Sequence, residues 1–572
     1  MRVQMFVRIL STLLALLVAG LFYTQVVRHD VYKVMSEENR LRVIPLMAPR
    51  GSIFDKNGNA VVKDDISFDA TVTYSQIKDK KSLIGLLSDI SGLSRKEITV
   101  RIEESRGKPY SPVCIIPDIG TDAAIQFEEV VLDYPGLHIA VTTKRDYLYG
   151  RTASAVIGYI GPINRPEFEK LKHYGYKLND MVGRGGVEEY YDNYLRGTSG
   201  GKQVEVDHLG REILTLGYLD PVPGKNIHMT IDLDLQKFCD GLLENKRGAI
   251  IVMDSENGAI RAMSSAPGYD PEVFIDRKRH VELEELLKDK KYPLMDRAIS
   301  AAYPPGSVFK LVVAAAALDS GKATPGTSGI CTGSIVVGKK TFHCWRQGGH
   351  GEQDLIGAIK NSCNVYFYRL GMLIGADKIA DSARRFGFGE LTGIDLPQEV
   401  RGTVPDSRWK KKLFKEKWYQ GETVNYAIGQ GYLLVTPIQV AKMISVFANR
   451  GSVVHPHIVR RIDDVEINCY DKVDIGLSPA VIDSVREGMK ECVNDRHGTG
   501  MKARVPEMVI SGKTGTAQTS TGKNHGWFGG FAPFDKAALT VVVFDEYGGR
   551  GGYYAAETAG MVFREAKRLG LL

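Results

Sequence analysis

The 572-residue sequence predicts an α+β protein in three parts: an N-terminal transmembrane helix, an elongated α+β module, and a C-terminal domain whose antiparallel sheet is flanked by helices. Three observations predict it. Residues 9–27 contain no charged side chain; residues 28–225 mix short strands, charged helical segments and Gly-rich turns; and from 226 onward strand patterns stand at both ends of a stretch that is helical in the middle. A chain this long exceeds one ordinary hydrophobic core. Its 74 basic and 68 acidic residues leave a net charge of only +6, which gives no electrostatic basis for binding nucleic acid.

A short tail, residues 1–8, precedes the apolar run at 9–27, which is flanked by Arg8 and Arg28. As a helix this run is ~28 Å long, the thickness of a bilayer core. A cleaved signal peptide is the rival reading, but Ala15, Ala19 and Gly20 make a poor A-x-A site and the run is long for a signal core, so an uncleaved anchor is expected. Arg2 and Arg8 precede the span, and Arg28, Lys33, Arg40 and Arg42 follow it, so the charge count leaves orientation open.

The module at 28–225 begins with a polar stretch and the turn-rich PRGSIFDKNGNAV from Pro49, where Asn57-Gly58 signals a hairpin. An alternating strand at 68–74, charged helical segments through 80–103 and a Gly-rich block at 183–201 follow, with no catalytic constellation. The C-terminal domain, 226–572, opens with a strand running into an amphipathic helix at 226–236 and a hairpin at 248–262 that turns at Asn257-Gly258. The charged run 276–291 reads as an exposed helix, 308–318 and 439–449 as apolar helices, and 508–518, 526–532 and 538–544 as strands. The basic stretch 408–417, interrupted by Trp409, Leu413 and Phe414, reads as a solvated or membrane-facing surface.

Three short motifs carry chemistry. In YPPGSVFK, the Pro304-Pro305-Gly306 turn forbids helix and the following residues favour it, so Ser307 stands at a helix start with Lys310 one turn later on the same face. A serine hydroxyl needs a base, and a lysine desolvated among apolar neighbours supplies one. In S-C-N, the Ser362 hydroxyl suits a proton relay and the Asn364 amide suits orientation of the lysine; a helix C-cap is the plainer reading. In SGKTGTAQ, Lys513, Thr514 and Thr516 suit a substrate carboxylate, Gly515 admits a close backbone approach, and the amides of Ser307 and Thr516 suit an oxyanion hole. Each motif alone is weak. Their order, S-x-x-K, S-x-N, K-T-G, is the set of serine acyltransferases that react with penicillin.

The surroundings AAYPPGSVFK, NSCNVYFYRLG, IGQGYLLVTPIQVA and SGKTGTAQ resemble the class B penicillin-binding proteins, and PRGSIFDKNG and GRGGVEEYYDNYLRG resemble that class's non-catalytic N-terminal module. FHCWRQGGHG at 342–351 and SCNVYFY are similar to the elongation type, penicillin-binding protein 2. The resemblance implies a pedestal or dimerisation-like domain at 28–225, a transpeptidase domain at 226–572 outside the cytoplasm of a bacterial cell, and anchoring in the inner membrane. It also implies a D-Ala-D-Ala transpeptidase acting on peptidoglycan stem peptides during elongation, and a target of β-lactams. The implied nucleophile is Ser307, with Lys310 as base, Ser362 and Asn364 as relay, and Lys513 to Thr516 as the carboxylate and oxyanion strand. Many elongation-type members carry Asp at the position of Asn364. The chain shows no glycosyltransferase region, and the resemblance supplies as partners a membrane polymerase of the shape, elongation, division and sporulation family and other elongation-complex proteins.

Acyl transfer of this kind requires no cofactor. Cys331, Cys344, His350 and Cys363 nevertheless form a soft ligand set suited to a structural Zn2+, and the family includes members with metal ligands in this region. A Cys331–Cys344 disulfide and plain buried thiols are the alternatives. The seven cysteines are too scattered for a disulfide scaffold. Two other functions use the same residues: a carboxypeptidase or β-lactamase that hydrolyses the acyl-enzyme, and a scaffold or sensor that binds β-lactam without turnover.

Overall fold

The apolar run near the N-terminus folds, in the computed structural model of the chain, as an α-helix over Arg2–Phe22 that loosens into a π-helical turn at Tyr23–Val27. The structure describes residues 2–33, 41–178, 180–207, 212–467, 472–519 and 522–572, so Cys469 and part of the polar stretch after the helix lie outside the described residues. The span Gln4–Val27 is long and apolar enough to cross a membrane, and protein covers none of it. Thr12 and Thr24 turn their hydroxyls back onto the carbonyls of Arg8 and Gly20, which satisfies the polar groups within the helix.

Contacts divide the chain into two units: residues 1–51, 63–146 and 196–225, and residues 52–62, 147–195 and 226–572. In the first unit the charged segment at 80–103 becomes two helices, Lys80–Ser91 and Arg95–Ser105. Asp79 caps the first, and a Ser94–Glu97 capping box starts the second. Their apolar faces bury Leu83, Leu87, Ile98 and Ile102 with Val72, Ile115 and Phe127. A separate antiparallel sheet joins Leu41–Leu46, Gly200–Val206 and Glu212–Leu219.

The second unit is built on a five-stranded antiparallel sheet of β1 (Gly248–Asp254), β2 (Ile260–Ala266), β3 (Ser511–Ala517), β4 (His525–Ala532) and β5 (Leu539–Asp545). The spatial order is β2-β1-β5-β4-β3, so the last strand in sequence lies at the centre and β3 at an edge. Two layers of helices cover it. On one face α1 (Leu233–Leu242) and α7 (Tyr554–Arg568) pack with Leu235, Ile250, Phe528, Val541 and Phe563. On the other lie α2 (Lys310–Asp319), α3 (Leu355–Lys360), α4 (Asn364–Ile374), α5 (Pro437–Ala448) and α6 (Pro479–Asn494). Every residue of α5 is buried, in keeping with a sequence that is apolar apart from Gln439, Lys442 and Ser445, and a Thr436–Gln439 capping box with Pro437 at the first turn fixes its start.

Two expectations need correction. The charged run 276–291 is a 3-10 turn, Arg277–Arg279, followed by a shorter helix, His280–Lys288; Asp276 accepts the Lys278 N–H and so caps a turn instead of an α-helix. The helix expected from Ser307 begins as a 3-10 turn, Gly306–Phe309, before α2.

Candidate active site

The turn that carries Ser307 is set by its backbone. Gly306 has φ +56°, and a Cβ there would stand 2.7 Å from the Thr516 carbonyl oxygen, so only glycine lets the turn press against β3. The Gly306 N–H donates to the Gly429 carbonyl at 3.0 Å, and the Trp527 indole N–H on β4 donates to the Pro304 carbonyl at 3.0 Å. Residues three apart in a 3-10 turn eclipse one another, which aligns Ser307 with Lys310.

Lys310 is fully buried at the head of α2. Its Nζ donates to the Ser362 carbonyl at 2.8 Å, the Ser362 Oγ at 3.2 Å and the Asn364 Oδ1 at 2.8 Å. Among the described residues no hydrogen bond joins this amine to Ser307, so the amine is engaged by the S-C-N segment. Burial drives its pKa well below the usual lysine range, and the nearby Lys513 ammonium pushes the same way. Both effects favour the neutral amine, the form that accepts a proton. Lys513, on β3 and fully buried, is pushed down to about 8 by burial.

The S-C-N segment is more than a helix end. Asn361 caps α3, Asn364 begins α4, and Ser362 between them has φ +50°. A non-glycine residue held there marks a local strain that its surroundings must offset. The Trp345 indole N–H donates to the carbonyls of Asn361 and Ser362, at 3.0 and 3.2 Å, and together with Lys310 holds this corner in place.

On β3, Thr514 and Thr516 flank Gly515; among the described residues the strand pairs only with β4, and the Ser307 turn presses close against it at Gly515 and Thr516. Thr516 Oγ1 accepts the Gly551 N–H at 3.2 Å, and Thr514 Oγ1 donates to Thr499 Oγ1 at 3.1 Å. The structure thus gathers Ser307, Lys310, Ser362, Asn364, Lys513, Thr514, Gly515 and Thr516 within one region of the second unit. Sequence reasoning missed Trp345, Thr499, Gly429 and Trp527. The glycines around Thr499 in H-G-T-G are the one local signal of a tight approach there.

Beside this region Cys331, Cys344, His350 and Cys363 converge, their ligand atoms all within 4.8 Å of one another. The His350 Nδ1 lies 3.7 Å from the Cys331 Sγ and 3.5 Å from the Cys344 Sγ. A tetrahedral zinc with its usual bonds to nitrogen and sulfur has N···S edges of about 3.6 Å, so the donor set fits that metal. The Cys344 thiol is driven toward thiolate by the hydrogen bond from Cys363 and, more weakly, by that from His350; Cys363 is driven the other way. Cys331 and Cys344 are both free thiols, so the Cys331–Cys344 disulfide is not formed.

The sequence matches the family of the penicillin binding protein transpeptidase domain over residues 248–566 and that of the penicillin-binding protein dimerisation domain over residues 45–229. It is 34% identical to the peptidoglycan D,D-transpeptidase MrdA of Haemophilus influenzae, across 95% of this chain and 89% of that protein. Its structure is similar to penicillin-binding protein PBP2 of Helicobacter pylori solved with MreC, with a TM-score of 0.82, 30% identity, and coverage of 93% of this chain and 100% of that one. A chain of a peptidoglycan synthase complex that coordinates polymerization and crosslinking is similar with a TM-score of 0.76 and 30% identity, over 100% of this chain and 99% of that one.

Proposed function

The chain belongs to the penicillin-binding protein transpeptidase family, and from that premise we propose that it is a peptidoglycan D,D-transpeptidase of cell elongation whose nucleophile is Ser307. The observation that carries the reading is the buried, unprotonated-leaning amine of Lys310 held at 2.8 to 3.2 Å by the S-C-N segment, one turn from a serine pressed against the K-T-G strand.

Lys310 takes the Ser307 proton as Oγ attacks the carbonyl carbon of the penultimate D-Ala in a D-Ala-D-Ala stem. The backbone N–H groups of Ser307 and Thr516 receive the oxyanion. Lys513 and Thr514 hold the terminal carboxylate. When the C–N bond breaks, the proton passes from Lys310 through the Ser362 hydroxyl to the leaving D-Ala amine, and Asn364 keeps the lysine aimed. In the second half an amine of a neighbouring stem attacks the ester, its proton returns by the same relay, and Ser307 is released as the cross-link forms. β-Lactams enter the first half and remain as the acyl-enzyme.

No cofactor takes part in the acyl transfer. Cys331, Cys344, His350 and Cys363 would hold a structural Zn2+, and by sharing it these residues would tie the segment before His350 to Cys363 and so fix the Ser362 corner. With the tail 1–8 inside and the anchor 9–27 in the inner membrane, as the family resemblance implies, residues 226–572 lie outside the cytoplasm, and the module at 28–225 is a pedestal that docks a membrane glycan polymerase of the shape, elongation, division and sporulation family and other elongation-complex proteins. A relative solved with MreC and a similar chain from a peptidoglycan synthase complex support partners of this kind.

Mass spectrometry of the protein after penicillin treatment tests the reading. One adduct on Ser307, absent in Ser307→Ala, is expected; an adduct elsewhere or none overturns it. Cross-linking that persists in Ser307→Ala would favour the scaffold function instead.

A further inference from the structure

Thr499 lies outside every motif considered above, yet its side chain joins the K-T-G strand to the helix that ends just before S-C-N. It follows α6, in the segment that returns from the helix end toward β3. Its Oγ1 donates to the Lys360 carbonyl at 3.1 Å, and its N–H reaches the same carbonyl at 3.3 Å. Lys360 is the last residue of α3, two residues before Ser362, and its ammonium also meets Asp495 at 3.4 Å. On the other side Thr499 Oγ1 accepts the Thr514 hydroxyl at 3.1 Å, with the buried Cys492 Sγ 3.3 Å away. Gly498 makes this approach possible, since a Cβ there would stand 2.3 Å from the Cys492 carbonyl oxygen.

We propose that Thr499 is a positioning residue that aims the Thr514 hydroxyl at the substrate's terminal carboxylate while keeping the end of α3 in register with β3. The inference rests on the acyl-transfer reading of the site. A hydroxyl both donates and accepts, so the pair reverses its polarity without moving heavy atoms. With the site empty, Thr514 donates to Thr499 and Thr499 donates to the Lys360 carbonyl. When a carboxylate arrives, Thr514 turns its proton to the anion and Thr499 turns its own proton to Thr514. The Lys360 carbonyl keeps the Thr499 N–H, so the exchange leaves no buried acceptor unsatisfied. No other residue type both bridges at this length and reverses direction, except serine.

The test is the rate of acylation by benzylpenicillin and by its methyl ester, which lacks the anionic carboxylate, on the full chain in detergent. Active-site titration confines each rate to the folded fraction. Thr499→Val keeps the shape and removes the hydroxyl. Its second-order acylation rate with benzylpenicillin should fall about tenfold, the effect of losing a hydrogen bond that serves a charged group, while its rate with the ester stays within about twofold of wild type. Thr499→Ser should restore the benzylpenicillin rate. A merely structural role would slow both ligands alike, so equal losses, no loss, or failure of serine to rescue would overturn the proposal. If Thr499→Val yields no titratable protein, Thr499→Ala removes the same hydroxyl and is read against the same outcomes. A wild-type protein that takes up neither ligand overturns the acyl-transfer reading, and this proposal with it; a reactive wild type with an indifferent Thr499→Val overturns the proposal alone.

Discussion

The Lys310 amine stands 2.8 Å from the Asn364 amide oxygen, so the side chain that aims the proposed base carries no charge of its own. Asn364→Asp would place a carboxylate at that distance. An adjacent anion favours the protonated amine and raises a lysine pKa. Because Lys310 acts only when deprotonated, the acidic limb of the acylation-rate profile should move to higher pH, and the rate near neutrality should fall. Stopped-flow acylation between pH 5 and 9, an interval chosen to bracket neutrality, measures it; a limb that stays where it is removes Lys310 from the role of base.

Lys513 should set the opposite limb. It holds a carboxylate only while protonated, and burial places its pKa at about 8, so acylation by anionic ligands should decline as pH rises through that value. Lys513→Arg keeps its charge throughout and should flatten the decline, although its different shape lowers the overall rate. An alkaline limb that survives the arginine substitution would assign it to another group.

Ser362 combines a chemical and a conformational demand, which two substitutions separate. Ser362→Ala and Ser362→Gly both remove the relay hydroxyl and should slow acylation to a similar degree, on the order of 100-fold. Only glycine relieves the positive φ. The glycine variant should therefore be more stable than the alanine variant by about 1 kcal/mol in chemical denaturation. Equal stabilities would show that the corner is not strained.

Arg297 is fully buried and donates to Glu546 at 2.8 Å and to the carbonyls of Lys291 and Tyr292, while Arg247 holds Glu546 from the other side. This pair fastens the segment leading into Ser307 to the end of β5. Glu546→Gln leaves a buried guanidinium without its anion and should lower stability by about 3–5 kcal/mol. Replacing Arg297 and Glu546 together with methionine should be milder than the single change, and a double variant worse than the single one would contradict a desolvation origin.

The thiolate and imidazole cluster predicts one zinc per chain in metal analysis of protein purified without chelator. Removing it should lower the melting temperature and slow acylation, as the Ser362 corner loosens, and Cys363→Ser should reproduce both effects. Metal-free protein with a Cys331–Cys344 disulfide would overturn the assignment.

Much of this was legible in the sequence because it is local. The Pro-Pro-Gly turn before Ser307, the apolar helices and the alternating strands state their conformation within a few residues, and the three motifs follow from the residue types the chemistry requires. What was not legible depends on partners far along the chain. Trp345 is one aromatic residue in a loop until its indole is seen on the Ser362 carbonyl, and Thr499 is an ordinary hydroxyl until α3 and β3 are brought to either side of it. Taken alone, the Ser362 corner reads more plainly as a helix cap, since a positive φ on serine leaves no trace in residue identity. Lys310 was placed near Ser307 by helical spacing, whereas its hydrogen bonds run to a segment about fifty residues away.

The order of strands in the sheet bears on how the protein is made. β5 fills the gap between β1 and β4, yet it is the last strand to leave the ribosome, so β1 must wait with one edge open through most of synthesis. Exposed strand edges invite pairing with other chains, and long-range pairings form slowly. Nascent chains interrupted before residue 539 would hold every proposed catalytic side chain and still lack the strand that joins the two halves of the sheet. Penicillin capture should therefore appear abruptly, only once β5 has emerged and paired.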